Sequence, residues 1–347
     1  MTAQAGAPVR VGVIGCGTIA YWGHLRSLQR LKGAALAAAA DPAPAARARA
    51  AGMVHGPIYE RAADLLQSDI DAVIISAPPP IHAELTIAAV RAGKHVYVEK
   101  PLATTADDAR QVMDVVARSG VVAAVGFNYR HHPAHVRARA LLKQRAIGQV
   151  RAVQSVFCEP GTPETMPEWK QHRQSGGGVL LDLASHHIDL LRWFLDDELA
   201  TVDARIASGR TEHDAATLHF TTRGGIDVQT YVSFRAGPAD FLEFIGEKGT
   251  LRVDRHTLAP TLKIARLRGY GLRSAWLSPS IEQVELWARQ LVRPAYQPSF
   301  RLALAAFVQR IAGQPVSLAT IDDGARSLAV VLAAEESAGR MAPVAVP

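Results

Sequence analysis

Five short apolar runs in the first third of the chain are spaced by helical patterns, and that alternation leaves few folds open. Val9 to Ile14, Leu36 to Ala40, Ala72 to Ser76, His95 to Val98 and Val121 to Val125 read as strands. His24 to Leu31, Ala62 to Gln67, Ile81 to Ala92 and Thr104 to Ser119 read as the helices between them. Strands that are almost continuously apolar are buried on both faces, so the spacing predicts a parallel sheet covered by helices. After about Gly126 the texture changes. Val150 to Cys158, Thr201 to Ala207, Ala215 to Thr221, Ile226 to Phe234, Phe241 to Gly246 and Thr250 to Val253 follow one another with alternating patterns. They fit a large open, mostly antiparallel sheet with one wet face. One helix, Gly178 to Leu195, interrupts the series, and two more, near Leu302 to Ile311 and Ile321 to Ala338, close the chain. Two regions are therefore expected, 1–126 and 127–347, the first α/β and the second α+β.

Composition narrows the function classes. With 347 residues, 48% of them hydrophobic and 20% charged, the chain can bury a sizeable core, and a disordered or fibrous class is excluded. No apolar run approaches the roughly 18 residues of a membrane helix. Met1 to Arg10 lacks the cationic and apolar segments of a secretory signal. Cys16 and Cys158 alone make neither a disulfide framework nor a four-cysteine zinc site, so a cytoplasmic setting is expected. The net charge of +6 is concentrated between Arg255 and Arg301, where eight basic residues face only Glu282 and Glu285. Such a run is usually a solvated face; it could also meet an anionic substrate, an acidic subunit or, through Trp276, Leu286, Trp287 and Leu291, a membrane. No nucleic-acid motif accompanies it, and nucleic acid is not expected as a partner.

The segment Gly12 to Ala20 sits where a strand turns into a helix. Gly15 permits the turn, Gly17 lets the backbone approach a pyrophosphate, and Ala20 keeps helix and sheet close. The phosphates would lie on the helix N-terminus. Asp41 ends the second strand 21 residues after Ala20, the distance at which a carboxylate reaches ribose hydroxyls and repels a 2′-phosphate. Region 1–126 is therefore read as a Rossmann dinucleotide-binding domain, with NAD expected over NADP. Cys16, at a helix N-terminus, could carry a lowered pKa but is given no role.

Two further stretches carry chemistry. Glu99-Lys100-Pro101 ends a buried strand at the side where such sheets hold ligands. A lysine there can donate to a substrate hydroxyl, although a surface pair between Glu99 and Lys100 reads equally well. Pro101 biases Lys100 to extended backbone. In Gly178 to Phe194, at about 100° per residue, Asp182, His186, Asp189 and Trp193 share one face, opposite Leu183, Leu190, Leu191 and Phe194. A carboxylate one turn before a histidine can orient the ring as a base for a hydroxyl proton. His187 points to the apolar side and reads as structural. No second ligand cluster supports a metal, and none is expected.

Taken together these residues resemble the glucose-fructose oxidoreductase, inositol dehydrogenase and rhizopine-catabolism family, Gfo/Idh/MocA. The resemblance includes Ala77-Pro78-Pro79 with His82 and Glu84, Gly126 to Arg130, Gly176 to Gly178 and Gly246 to Thr250. It implies an NAD-dependent dehydrogenase of a secondary alcohol in a sugar, sugar derivative or cyclitol, with Lys100, Asp182 and His186 as the catalytic group. It further implies cofactor contacts from Gly15, Cys16, Gly17, Thr18, Ile19, Asp41, Ala77, Pro78, Pro79, His82, Glu99, Lys100 and Asn128. Substrate contacts would come from Tyr129, Arg130, Trp169 and Arg173 with the catalytic group, while Arg130, Lys170 and Arg173 could instead meet a carboxylate or phosphate. A homodimer or homotetramer through the second-region sheet is implied as well. Two other outcomes stay open: a redox-neutral epimerase or glycoside-cleaving enzyme with tightly held NAD, and a non-catalytic dinucleotide-binding regulator or scaffold. Ala184 departs from the family's common glycine.

Overall fold

The computed structural model describes residues 7–255, 261–265, 272–276 and 298–347. The chain forms two compact units, 1–128 with 299–328, and 129–298 with 329–347. Residues 299–328 thus return to the first unit, which the expected division at 126 did not anticipate. Their apolar residues, among them Leu304 and Phe307, belong to the first unit's core.

In the first unit six strands, β1 (Val9–Ile14), β2 (Ala34–Ala40), β3 (Ile58–Tyr59), β4 (Ala72–Ile75), β5 (His95–Val98) and β6 (Ala123–Val125), make one sheet of order β3-β2-β1-β4-β5-β6. Every pairing is parallel. All four residues of β4 are fully buried, which is why this strand reads as an unbroken apolar run. Val73, Ile74 and Ile75 each contribute roughly 1.5–3 kcal/mol by leaving water. The strand order reverses between β1 and β4, so the loops after both strands open at the place where sheets of this kind take ligands.

The second unit holds β7 (Val150–Cys158), β8 (Leu199–Ala207), β9 (Ala215–Thr222), β10 (Asp227–Ser233), β11 (Ala239–Gly246), β12 (Gly249–Asp254), β13 (Thr261–Ala265), β14 (Leu272–Trp276) and β15 (Val344–Ala345). Their order is β14-β13-β12-β11-β7-β10-β9-β8-β15. All pairings are antiparallel except β7 with β10, which run parallel. In β10, Val228, Thr230 and Val232 are buried while Asp227, Gln229 and Tyr231 are exposed, the period-two pattern of a sheet with one covered face. Leu190, Leu191 and Phe194 of the helix Ser185–Leu195 are buried, as their spacing predicted, and Phe194 meets Phe244 of β11 edge-on.

The helix Pro133–Lys143 escaped the sequence reading, since its buried side includes a histidine, His135, beside Ala134, Ala138 and Leu141. Of the basic segment, Arg255, Lys263 and Arg301 are described: Lys263 is exposed and Arg301 half-buried, whereas Arg255 donates to Asp240 with its side chain 10% exposed. Arg266, Arg268, Arg289 and Arg293, with Leu286 and Trp287, lie outside the described residues. No described helix is long and apolar enough to cross a membrane.

Candidate active site

The first unit builds a cradle from backbone. Gly15 takes φ +85°, and a Cβ there would lie 2.5 Å from the Ser76 carbonyl oxygen, so the turn out of β1 admits only glycine. A Cβ built at Gly17 meets nothing within 4 Å, which leaves that backbone open to a phosphate. Thr18 and Ile19 beside it are exposed, Ile19 at 49%. The Asp41 carboxylate accepts from Cys16 N–H at 2.7 Å and from Ala43 N–H at 2.8 Å. Its oxygens keep lone pairs for the hydroxyls of a ribose. Arg47, which the sequence reading missed, donates to the carbonyls of Asp41 and Pro42 and fixes the end of this strand. The signal was a cation six residues after Asp41, within reach along one helix.

Several residues expected at the cofactor are also hydrogen-bonded within the first unit. The Cys16 side chain is buried, and burial, with Asp41 beside it, pushes the thiol up to about 12, the reverse of the lowering its place at a helix N-terminus allowed. The ring nitrogens of His82, 1% exposed, lie 2.7 Å from the carbonyl oxygens of Ala77 and Pro101, joining the loops after β4 and β5. Burial holds this ring below the usual histidine range. Asn128 donates to Ser299 Oγ at 3.0 Å and is 2% exposed. Glu99 Oε1 lies 2.7 Å from His24 Nε2, and its Oε2 accepts from Lys100 N–H at 3.2 Å. Lys100 is half-buried, and the Lys100-Pro101 peptide bond is cis.

In the second unit the segment Leu180–Ala184 is a widened turn of π type that passes into the helix Ser185–Leu195. Such turns recur at functional sites, and this one carries Asp182. Asp182 Oδ2 accepts from Lys170 Nζ at 2.8 Å. The His186 ring, 8% exposed, stacks on Tyr129 with centroids 4.2 Å apart and planes 13° from parallel. Its Nδ1 is buried, so Nε2 is the nitrogen that can meet a substrate.

The polar stripe read from the sequence divides here. Asp189, 1% exposed, accepts from Arg130 Nε at 2.8 Å and Nη2 at 2.6 Å. Arg130, expected at the substrate, thus forms a buried two-point pair with Asp189, and Trp193 carries the Arg139 guanidinium over its ring at 4.4 Å. Arg173 likewise forms a two-point pair with Glu335. Trp169 remains half-buried, with Lys170 Nζ 5.6 Å from its ring centre.

Behind Tyr129 and His186 lies a buried polar layer. His187 meets Ser155 Oγ at 2.7 Å and Asp240 Oδ1 at 3.0 Å, the structural placement its position predicted. Arg255 Nε donates to the other Asp240 oxygen at 2.5 Å, and its guanidinium lies over the Tyr129 ring at 4.9 Å. Burial alone would raise Asp240, but His187 and Arg255 hold it well below the usual carboxylate range. Burial pushes the Tyr129 phenol up. Among the described residues no group of three or more His, Cys, Asp or Glu could hold a metal ion.

A six-stranded parallel sheet with an open glycine turn and an acidic end on its second strand, followed by a unit carrying paired Lys, Asp and His groups, defines a dinucleotide-dependent oxidoreductase. Residues 9–127 match the oxidoreductase family with an NAD-binding Rossmann fold, GFO/IDH/MocA, and residues 135–252 match the C-terminal domain of GFO/IDH/MocA. The chain belongs to this family and is an NAD-binding oxidoreductase. It is 36% identical over 255 residues to inositol 2-dehydrogenase 3 of Saccharopolyspora erythraea, covering 71% of this chain and 73% of that one. It is 30% identical over 318 residues to a dTDP-3,4-didehydro-2,6-dideoxy-alpha-D-glucose 3-reductase of Actinomadura kijaniata, covering 88% of each. Among solved structures, an oxidoreductase domain protein from Kribbella flavida matches with a TM-score of 0.85 at 25% identity, over 98% of this chain and 100% of that one. A levoglucosan dehydrogenase in complex with NADH shares the fold, with a TM-score of 0.85 at 22% identity over 98% and 99%.

Proposed function

We propose that the protein oxidises a secondary hydroxyl of a neutral cyclitol or sugar, with Lys100, Asp182 and His186 acting on one substrate. The observation that carries this reading is that the second unit holds, four residues apart in the chain, a carboxylate bound by an ammonium group and an imidazole stacked on an aromatic ring. The relatives named as inositol 2-dehydrogenases support the substrate class.

Bound NAD supplies the hydride acceptor, and Gly15, Gly17, Thr18, Ile19 and Asp41 are the residues that would hold it. His186 Nε2 takes the hydroxyl proton, its ring kept in plane by Tyr129. Lys100 donates to the same oxygen and favours the alkoxide as the proton leaves. Asp182 accepts from a hydroxyl and orients the ring of the substrate. Trp169 offers an apolar face to the sugar carbons.

The nine-stranded sheet is the surface through which the chain would form a homodimer or homotetramer. Tyr231 and Ile245, 39% and 43% exposed, stand on its uncovered side. A cytoplasmic setting accords with two buried free cysteines.

The test is to denature the purified protein, identify any released dinucleotide by mass spectrometry, and follow NADH absorbance across sugars, cyclitols and sugar nucleotides. Steady NADH production is expected, with His186→Ala and Lys100→Ala each strongly impaired in turnover while NADH binding persists. Substrate consumed with NAD retained and no NADH released would replace the dehydrogenase reading by an internal redox cycle. Binding of dinucleotide with no turnover of any kind would favour a regulator.

A further inference from the structure

Lys170 belongs to no motif, yet it holds the best-placed carboxylate in the second unit. Its side chain is 24% exposed and that of Asp182 11%, so the pair is sheltered but reachable. Asp182 is the main cause of a raised pKa at Lys170, and Glu159 adds to it, so the ammonium stays charged. The lysine is also fixed through its backbone. Lys170 N–H donates to Pro167 O, and Lys170 O accepts from Gly178 N–H at 3.1 Å, immediately before the turn that carries Asp182. Gln171 Nε2 donates to the carbonyls of Pro163 and Met166. A Cβ at Gly177 would lie 2.4 Å from Lys170 O, so the strap can close only over glycine.

We propose that Lys170 is a specificity-determining residue whose pair with Asp182 reads two adjacent hydroxyls of the substrate, the ammonium donating to one oxygen while the carboxylate accepts from its neighbour. This rests on the polyol reading of the site. The donor and acceptor stand 2.8 Å apart, close to the separation of two gauche vicinal hydroxyl oxygens. An ammonium group has three N–H donors and Asp182 takes one, which leaves two for a ligand. Because its charge is answered by Asp182, Lys170 does not select a phosphate or carboxylate as an unpaired lysine would. A substrate lacking one of the two hydroxyls leaves a sheltered polar group unmatched, and such a gap discriminates far more strongly than a missing methylene.

The experiment compares wild type with Lys170→Met and Lys170→Arg on myo-inositol, D-glucose and 1,5-anhydro-D-glucitol and on their monodeoxy analogues. It reads kcat/KM and, by calorimetry on NADH-loaded protein, Kd. Wild type should lose about 100-fold or more when one of two adjacent hydroxyls is removed. In Lys170→Met that loss should nearly vanish at the position facing Lys170 and persist elsewhere, with Lys170→Arg restoring part of it. An equal fall for every analogue in Lys170→Met would make the lysine a mere support and overturn the proposal, as would unchanged discrimination. If wild type neither binds nor turns over any neutral polyol, the polyol reading falls and the inference with it. If wild type does so and only the discrimination test fails, the inference falls alone.

Discussion

His24 Nε2 lies 2.7 Å from Glu99 Oε1 in the core of the first unit, joining the helical turn after the glycine loop to the residue that precedes Lys100. The ring is fully buried, edge-on to Tyr97 and Phe300. Glu99 in turn accepts from Lys100 N–H. His24→Ala should cost about 2–4 kcal/mol in urea unfolding, since it opens a cavity and leaves a buried carboxylate short of a partner. A variant as stable as wild type would show that the pair contributes nothing to the fold.

Asp41 is held by two backbone donors and its carboxylate has lone pairs beyond those two bonds, which makes its loss a test of cofactor choice. Asp41→Ala should weaken NADH binding about 10- to 100-fold, the worth of one hydrogen bond to a charged group, and should narrow the preference over NADPH. Fluorescence titration with both dinucleotides reads this directly. An unchanged ratio between them would mean that another residue senses the ribose.

Much of the first unit was legible because its strands are buried on both faces. Val9–Ile14 and His95–Val98 carry an apolar signal that needs no partner to be recognised. Lys100, Asp182 and His186 were legible as local motifs. What the sequence hid is pairing over distance. Arg130 with Asp189, Arg255 with Asp240, and Lys170 with Asp182 join residues on different elements, and no periodicity announces them. The stripe through Asp182, His186 and Asp189 was drawn at a regular α-helical angle, whereas a widened turn at Leu180–Ala184 precedes the regular helix. The same widening at Ala20–Leu25 shifted the first helix from its expected place at His24 to Leu31.

His135 gives stability a pH dependence whose sign can be worked out. It is 1% exposed, its Nδ1 is 2.9 Å from the Tyr129 carbonyl oxygen, and burial pushes its pKa down to about 4. In the unfolded chain a histidine titrates near 6.5. As pH falls below that value the unfolded state takes up the proton first, so this contribution is complete above about 6.5 and is lost progressively toward about 4. His131, also pushed down to about 4, chiefly by burial, acts in the same direction. Urea unfolding at pH 7, 6 and 5 should show stability falling with pH, and His135→Gln should flatten the slope. An identical slope in the variant would remove His135 from the account.

Tyr129 links the buried polar layer to the imidazole proposed to take the proton, because its ring touches both. Arg255 lies over it and His186 stacks on it, so the orientation of His186 depends on an aromatic ring at this position. The phenol stays protonated across the working range, since burial raises it, and it therefore supplies shape and not charge to its neighbour. Tyr129→Phe should accordingly keep most of the turnover and the same pH profile. Tyr129→Ala should lower kcat about 10- to 100-fold, the effect of letting a catalytic group drift by about an ångström, while KM changes less. Steady-state kinetics on both variants separates the two cases. Equal losses in Tyr129→Phe and Tyr129→Ala would show that the hydroxyl, and not the stacked ring, is what the site requires.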